Sequence, residues 1–247
     1  MEMKKRIMAA LLAICMAAGY APYPAADVQA EEMQADTYVG LDAEYHTQDE
    51  IREYYRSHPI RNIEAEFVTE PSVAKPYALG ELTEETKQDA LNMLNLYRYI
   101  AGVPLVSVTE EAQNYAQGAA LVSAINQCLQ HHPERPEGME DEMFSQAFYG
   151  AANANLARSS NVLSQTIFVY MLEIGGDPDF GHRYRLLEYE TSEVGFGIAK
   201  SETSGYYSAT YTNMSMGRKD RIISYPGQNQ PLEYFGPGYA WTVSIPE

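Results

Sequence analysis

Apolar residues recur at helical spacing from position 83 onward. Ala90, Met93, Leu94, Tyr97, Ile100 and Ala101 fall at i, i+3, i+4, i+7, i+10 and i+11, one stripe on a 3.6-residue period. Thr83 stands where an N-cap is needed, and Glu84 and Glu85 fill the first turn, favourable at the positive end of the dipole. Gly102 and Pro104 end the run. A second helix is predicted from Thr109, with Glu110 and Glu111 in its first turn, to about Leu129. Its stripe of Ala112, Tyr115, Ala116 and Ala119 is made of small residues, which predicts close packing against a neighbour. A third runs from about Asn161 to Ile174, with Leu163, Ile167, Tyr170, Met171 and Ile174 on one face, and Gly175-Gly176-Asp177-Pro178 closes it.

From Glu193 the period drops to two. Glu193–Lys200 and Tyr206–Met214 read as strands joined by Ser201–Gly205, with Tyr207, Ala209 and Tyr211 on a shared face. Gly195 and Gly197 alternate in the first of these, which predicts that another backbone or side chain approaches the sheet closely there. A last strand is expected over Tyr239–Ile245, with Trp241, Val243 and Ile245 pointing one way. Gln130–Ser160, broken by Pro133, Pro136, Gly138 and Gly150, reads as irregular, and Gly181-His182-Arg183 as a turn between helix and strand. Helices followed by strands, without βαβ alternation, predict an α+β layered domain.

The N-terminus has a different character. Lys4-Lys5-Arg6, the apolar run Ile7–Ala18 and the small-residue site Val28-Gln29-Ala30 make residues 1–30 a secretory signal peptide, and no other apolar run is long enough to span a bilayer. Cys15 follows Ile14, which is the wrong residue for a lipid-anchor motif. Residues 31–79 are acidic and poorly patterned, an arm or linker with one short helix at Asp49–Ser57, and His46 and His58 there read as surface residues. The domain proper is expected over 80–220, and 221–247 form an extension punctuated by Pro226, Pro231 and Pro237.

Composition narrows the function. The net charge is −17, and loss of Lys4, Lys5, Arg6, Glu2 and Asp27 with the leader leaves 14 basic and 32 acidic residues. Such a surface repels nucleic acid and anionic membranes. Cys128 is then the only cysteine, so an internal disulfide is impossible and the fold must rest on a packed core. Cys128 itself reads as a small apolar packer; a helix C-terminus raises a thiol pKa and works against a thiolate nucleophile. Twenty tyrosines against seven phenylalanines suit either a wet sheet or a face that is at once apolar and hydrogen-bonding, as peptide- and carbohydrate-binding faces are.

Several signals then stand in one order: Asn95-x-x-Arg98-x-x-x-Gly102-x-Pro104-Leu105, His131-His132, Asn155-Leu156-Ala157, Gly181-His182-Arg183, Val194-Gly195-Phe196-Gly197 and a tyrosine-rich strand. This series resembles the CAP superfamily, the SCP-like extracellular domain of cysteine-rich secretory proteins, antigen 5 and pathogenesis-related 1 proteins, and looks closest to its bacterial branch. The likeness covers roughly residues 80–220. It implies a three-layer α-β-α sandwich with a central antiparallel sheet. It also implies a cleft where two histidines and two glutamates gather, with zinc or another divalent ion in some members. Residue by residue, the second histidine falls on His182 and the first on His131 or His132. One acid falls loosely on Glu173, and the other on Ala154, where the carboxylate is missing.

The cleft residues expected are therefore His131, His132, His182, Arg183, Asn155 and Glu173, with His182 and His131 as ligands should zinc or calcium bind. Zinc sites generally use three or four protein ligands, and a hydrolytic site needs a base near its water; Ala154 supplies neither. No nucleophile elbow or HExxH motif occurs. Asn95 and Arg98 read as structural, and Arg183 and Arg185 as partners for the chain's many acids. The reading is a secreted, non-enzymatic module that binds an extracellular peptide, glycan or lipid. The alternatives are a metal-assisted hydrolase with a degenerate two-histidine site and a small-lipid carrier.

Overall fold

The computed structural model describes residues 45–173, 180–214, 222–234 and 240–244. The leader at 1–30, Cys15, the end of the third predicted helix at Ile174 and the outer residues of the last predicted strand, Tyr239 and Ile245, lie outside them. Six α-helices and eight short strands follow in order: α1 Gln48–Ser57, β1 Phe67–Thr69, β2 Glu81–Leu82, α2 Glu84–Ala101, β3 Ser107–Val108, α3 Glu110–Asn126, α4 Asp141–Ala152, β4 Ala154–Ser159, α5 Leu163–Leu172, α6 Gly181–Leu187, β5 Glu193–Ser201, β6 Gly205–Thr212, β7 Ile223–Tyr225 and β8 Thr242–Ser244.

The central sheet has the order β3-β5-β6-β4. β5/β6 and β4/β6 are antiparallel, and only the two-residue edge pair β3/β5 is parallel. Val194, Phe196 and Ile198 of β5 enter the larger core with α2, α5 and α6. On the other face, alanines of α3 meet Ala151, Ala154, Ala209 and Tyr211. The result is an α+β sandwich in which the sheet lies between α3/α4 and α2/α5/α6.

Two glycines set the α3 layer. A Cβ on Gly195 would sit 1.9 Å from the Ala112 carbonyl oxygen, and one on Gly197 would sit 2.1 Å from that of Ala116. Four residues of helix and two of strand cover nearly the same length, about 6 Å, so the contact repeats in step. Beyond Val108 no strand among the described residues covers the β5 edge. Two glutamines of α3 take that place. Gln113 accepts from Phe196 N and donates to Phe196 O; Gln117 accepts from Ile198 N (3.1 Å) and donates to Ile198 O (3.0 Å). Side-chain amides thus continue a ladder whose backbone groups need partners.

Three helix termini agree with the sequence, while α3 ends at Asn126, short of the expected Leu129, and α5 begins at Leu163, after the expected Asn161. Thr83 and Thr109 cap α2 and α3, and Gly102 ends α2 at φ 68°. Asn95 exchanges two 2.9 Å bonds with the backbone of Val106. Arg98 is fully buried and donates to the carbonyls of Pro104, Leu186, Glu188 and Thr191, so α2 holds the C-terminal end of α6. Burial pushes the Arg98 guanidinium down to about 10, against the pull of Glu188. The segment before α2 joins the same core through Ile51, Ile60 and Ala65, and Asp89 fastens it by accepting from Arg61 N, Ile63 N and Ser164 Oγ. His46 and His58 stack on Tyr99 and Tyr54.

Three expectations are corrected. The stretch read as irregular carries α4 and the strand β4, and the turn at Gly181 is the first turn of the short helix α6. In α4 the breaker-like Gly150 serves the crossing with α3, where a Cβ would meet the Tyr115 carbonyl oxygen at 2.0 Å. The strand β4 has little propensity of its own and is held by six-residue pairing with β6. Cys128, expected as an apolar packer, is exposed, one residue past the left-handed cap Gln127.

Candidate functional site

The residues singled out in the sequence gather around the α4–β4 junction and the first turn of α6. Helix α5 ends on Glu173, in the left-handed conformation at φ 52°. Its buried carboxylate accepts from Arg183 N at 2.7 Å through Oε1 and from His182 Nδ1 at 2.8 Å through Oε2. A carboxylate accepts only, so Nδ1 carries a proton. The His182 ring stacks on Tyr170, with centroids 5.0 Å apart. The Tyr170 hydroxyl is buried beside the Ser208 hydroxyl. Burial pushes the Tyr170 phenol far above its ordinary range, against the downward pull of its hydrogen bond with Ser208.

Three bonds tie the junction to its surroundings. Asn155 donates to the His182 carbonyl (3.0 Å), Arg185 to the Asn153 carbonyl (2.9 Å), and His131 Nδ1 to the Ala151 carbonyl (2.8 Å). His132 turns elsewhere, edge-on to Phe148 at 5.8 Å. The structure thus separates the two histidines the sequence left open: His131 joins the junction, and His132 joins an aromatic band.

Ala154 is sealed. It lies buried in the alanine cluster, opposite Tyr211. Tyr211 continues outward into a group with Tyr115 and Tyr149, the rings 4.7 to 6.2 Å apart. The Tyr115 hydroxyl donates to Glu111 at 2.9 Å, which raises its pKa, and burial with the Tyr149 hydroxyl raises that of Tyr211. Tyr115 lines a surface cleft of about 330 Å³ with Glu110, Glu111, Asn114 and Gln146. Tyr149 and Phe148 beside it are exposed.

The arrangement does not suit a metal. Both Glu173 oxygens already hold donors, Ala154 offers none, and among the described residues no three His, Cys, Asp or Glu side chains come together as ligands. Zinc takes three or four such ligands and calcium six or more oxygens. The pairing expected of the two arginines is also corrected. Arg185 bonds a carbonyl, and the buried Arg183 side chain donates to Met171 O, Ala240 O and Thr242 Oγ1, with no carboxylate among its acceptors in the described residues. Sequence reasoning missed the role of Gln113 and Gln117, whose signal was their four-residue spacing facing Gly195 and Gly197.

The sequence profile of the cysteine-rich secretory protein family, CAP, matches residues 91–213. One similar solved structure is an extracellular protein containing an SCP domain from Bacillus anthracis str. Ames; it is 15% identical over 51% of this chain and 40% of that one, with a TM-score of 0.37. The match thus spans less than half of that protein's length. No curated protein matches the sequence. The chain carries a CAP-superfamily domain.

Proposed function

We propose that this protein is exported and that its CAP domain is a binding module, not a hydrolase. The observation that carries this reading is the closed His182–Glu173 pair. The carboxylate that could serve as a base is spent on Arg183 N and His182 Nδ1, and Ala154 removes the second one. The pair positions α6. What faces solvent near the α4–β4 junction suits recognition: Tyr115 and Tyr149 offer flat faces that carry hydroxyls, Phe148 offers a purely apolar one, and His131 adds an imidazole. A peptide or glycan outside the cell is the partner this chemistry favours. No helix among the described residues is long and apolar enough to cross a membrane.

The test is a screen of peptides and glycans with wild-type protein, Tyr149→Ala and His182→Ala, beside a turnover assay on peptide and cell-wall substrates with zinc supplied. Binding weakened at least tenfold by Tyr149→Ala, with no turnover by any form, supports the module. Reproducible turnover abolished in His182→Ala overturns it.

A further inference from the structure

The hairpin β7/β8 lies outside the CAP match and closes over Arg183. Arg98 and Arg183 are the two largest fully buried side chains, and their surroundings differ. Every nitrogen of the Arg98 guanidinium donates to a carbonyl. In Arg183, Nε donates to Met171 O and Nη1 is shared between Ala240 O and Thr242 Oγ1, while Nη2 is buried with no hydrogen-bond partner. The Tyr225 ring, 4.0 Å from the guanidinium carbon, and Phe180, 5.5 Å away, cover its faces. They attract the charge but accept no N–H in its plane. The neighbouring carboxylate, Glu173, is held by Arg183's backbone and by His182. A buried cation in this state lacks an in-plane anionic acceptor, which costs stability.

The Arg183 side chain also borders a space. This is a cleft of about 160 Å³ with Phe180, Leu187, Ile223, Tyr225 and Val243 as its apolar wall and Thr242, Ser244 and Tyr184 as its hydroxyl-bearing residues. That is close to the ~150 Å³ cavity that accepts benzene, a ligand of about six heavy atoms. Glu188 also borders the cleft, but its oxygens are engaged by Glu190 N and Thr191 Oγ1.

We propose that this cleft is a binding site for a small monocarboxylate with a short aliphatic tail, separate from the His182 site and independent of what that site recognises. The carboxylate takes Nη2 and displaces Thr242 Oγ1 as partner of the fork, a bidentate geometry that guanidinium favours. The tail lies against Leu187, Ile223 and Val243.

Sodium butyrate is the probe, and butyramide, of the same shape without charge, is its control. Each is titrated at constant ionic strength, followed by thermal unfolding and by backbone amide NMR. Ligands of this size bind with dissociation constants of about 1 mM. Butyrate at ~50 times that concentration then raises the unfolding temperature by about 5 °C. Saturable shifts are expected at Leu187, Tyr225, Thr242 and Val243, with butyramide at least tenfold weaker. Arg183→Lys removes the fork and weakens butyrate tenfold or more. Because that variant disturbs a buried group, Val243→Trp is paired with it: Val243 is 59% exposed, so the indole is tolerated and fills the cleft. An unfolding temperature of Val243→Trp that no longer responds to butyrate supports the site. Equal response to butyramide, a response retained in Val243→Trp, or no saturable response overturns it.

Discussion

Replacing Glu173 by glutamine tests how the histidine is held. The carboxylate receives two donors, Arg183 N at 2.7 Å and His182 Nδ1 at 2.8 Å, in a buried place. Bonds to a charged acceptor contribute about 1.5–3 kcal/mol each. Glutamine keeps one acceptor oxygen, which stays with Arg183 N because the backbone cannot turn away. Its amide nitrogen then faces His182 Nδ1, and two donors oppose each other. The imidazole relieves this by moving its proton to Nε2, so that Nδ1 accepts. The net loss is about 1–2 kcal/mol, or roughly 3–8 °C in unfolding temperature for a domain of this size. Nitrogen NMR of the ring distinguishes the tautomers: Nδ1–H in the wild type, Nε2–H in Glu173→Gln. Glu173→Ala, which strands both donors, is expected to cost more, about 2–5 kcal/mol. A His182 ring that keeps its proton on Nδ1 in Glu173→Gln, with unchanged unfolding temperature, would refute the reasoning.

Other consequences are separable. Gly197→Ala places a methyl 2.1 Å from the Ala116 carbonyl and is expected to lose about 3 kcal/mol or more in urea unfolding, whereas Gly205→Ala, in open space at φ +92°, should lose only about 1 kcal/mol; equal losses would mean that α3 does not seat on β5 as described. Arg98→Lys cannot reach four carbonyls from one ammonium, so a drop of about 2–4 kcal/mol is expected despite the retained charge. The protein should also unfold in alkali. Burial raises the phenols of Tyr54 and Tyr225 to about 12 and those of Tyr97, Tyr170, Tyr211 and Tyr234 further. Between pH of about 10 and 12 the unfolded chain has lost protons that the folded chain keeps, so stability present below that window falls as pH rises. Tyrosinate absorbance and circular dichroism should change together there; tyrosines titrating near pH ~10 without loss of structure would contradict the burial.

Much of this was legible in the sequence because local signals and tertiary demands agreed. Thr83, Thr109 and Gly102 cap helices that the apolar stripes also define, and Gly195 and Gly197 announced the close approach of α3. The failures came where tertiary contact overrode local preference. β4 is a strand only because β6 pairs with it, and α4 needs Gly150 for its crossing, the feature that made it look broken. At the site, Glu173, Asn155 and His182 were placed together by the order of motifs. The difference between His131 and His132 was not readable, since it depends on which ring reaches the Ala151 carbonyl. Nor was the lack, among the described residues, of a carboxylate bonded to the Arg183 guanidinium. In a chain this acidic, composition favours ion pairs, and the buried carbonyls of Met171 and Ala240 leave no mark in a sequence.

The account stands most directly on the claim that His182 and Glu173 form an internal pair, not half of a metal site. Its sharpest test is zinc stoichiometry, by elemental analysis, of wild-type, His131→Ala and His182→Ala proteins, each loaded with excess zinc and dialysed. Well under one equivalent is expected in all three, with His182 of the wild-type and His131→Ala proteins still bearing its proton on Nδ1. One tightly held zinc per wild-type chain, lost in both variants, would contradict it.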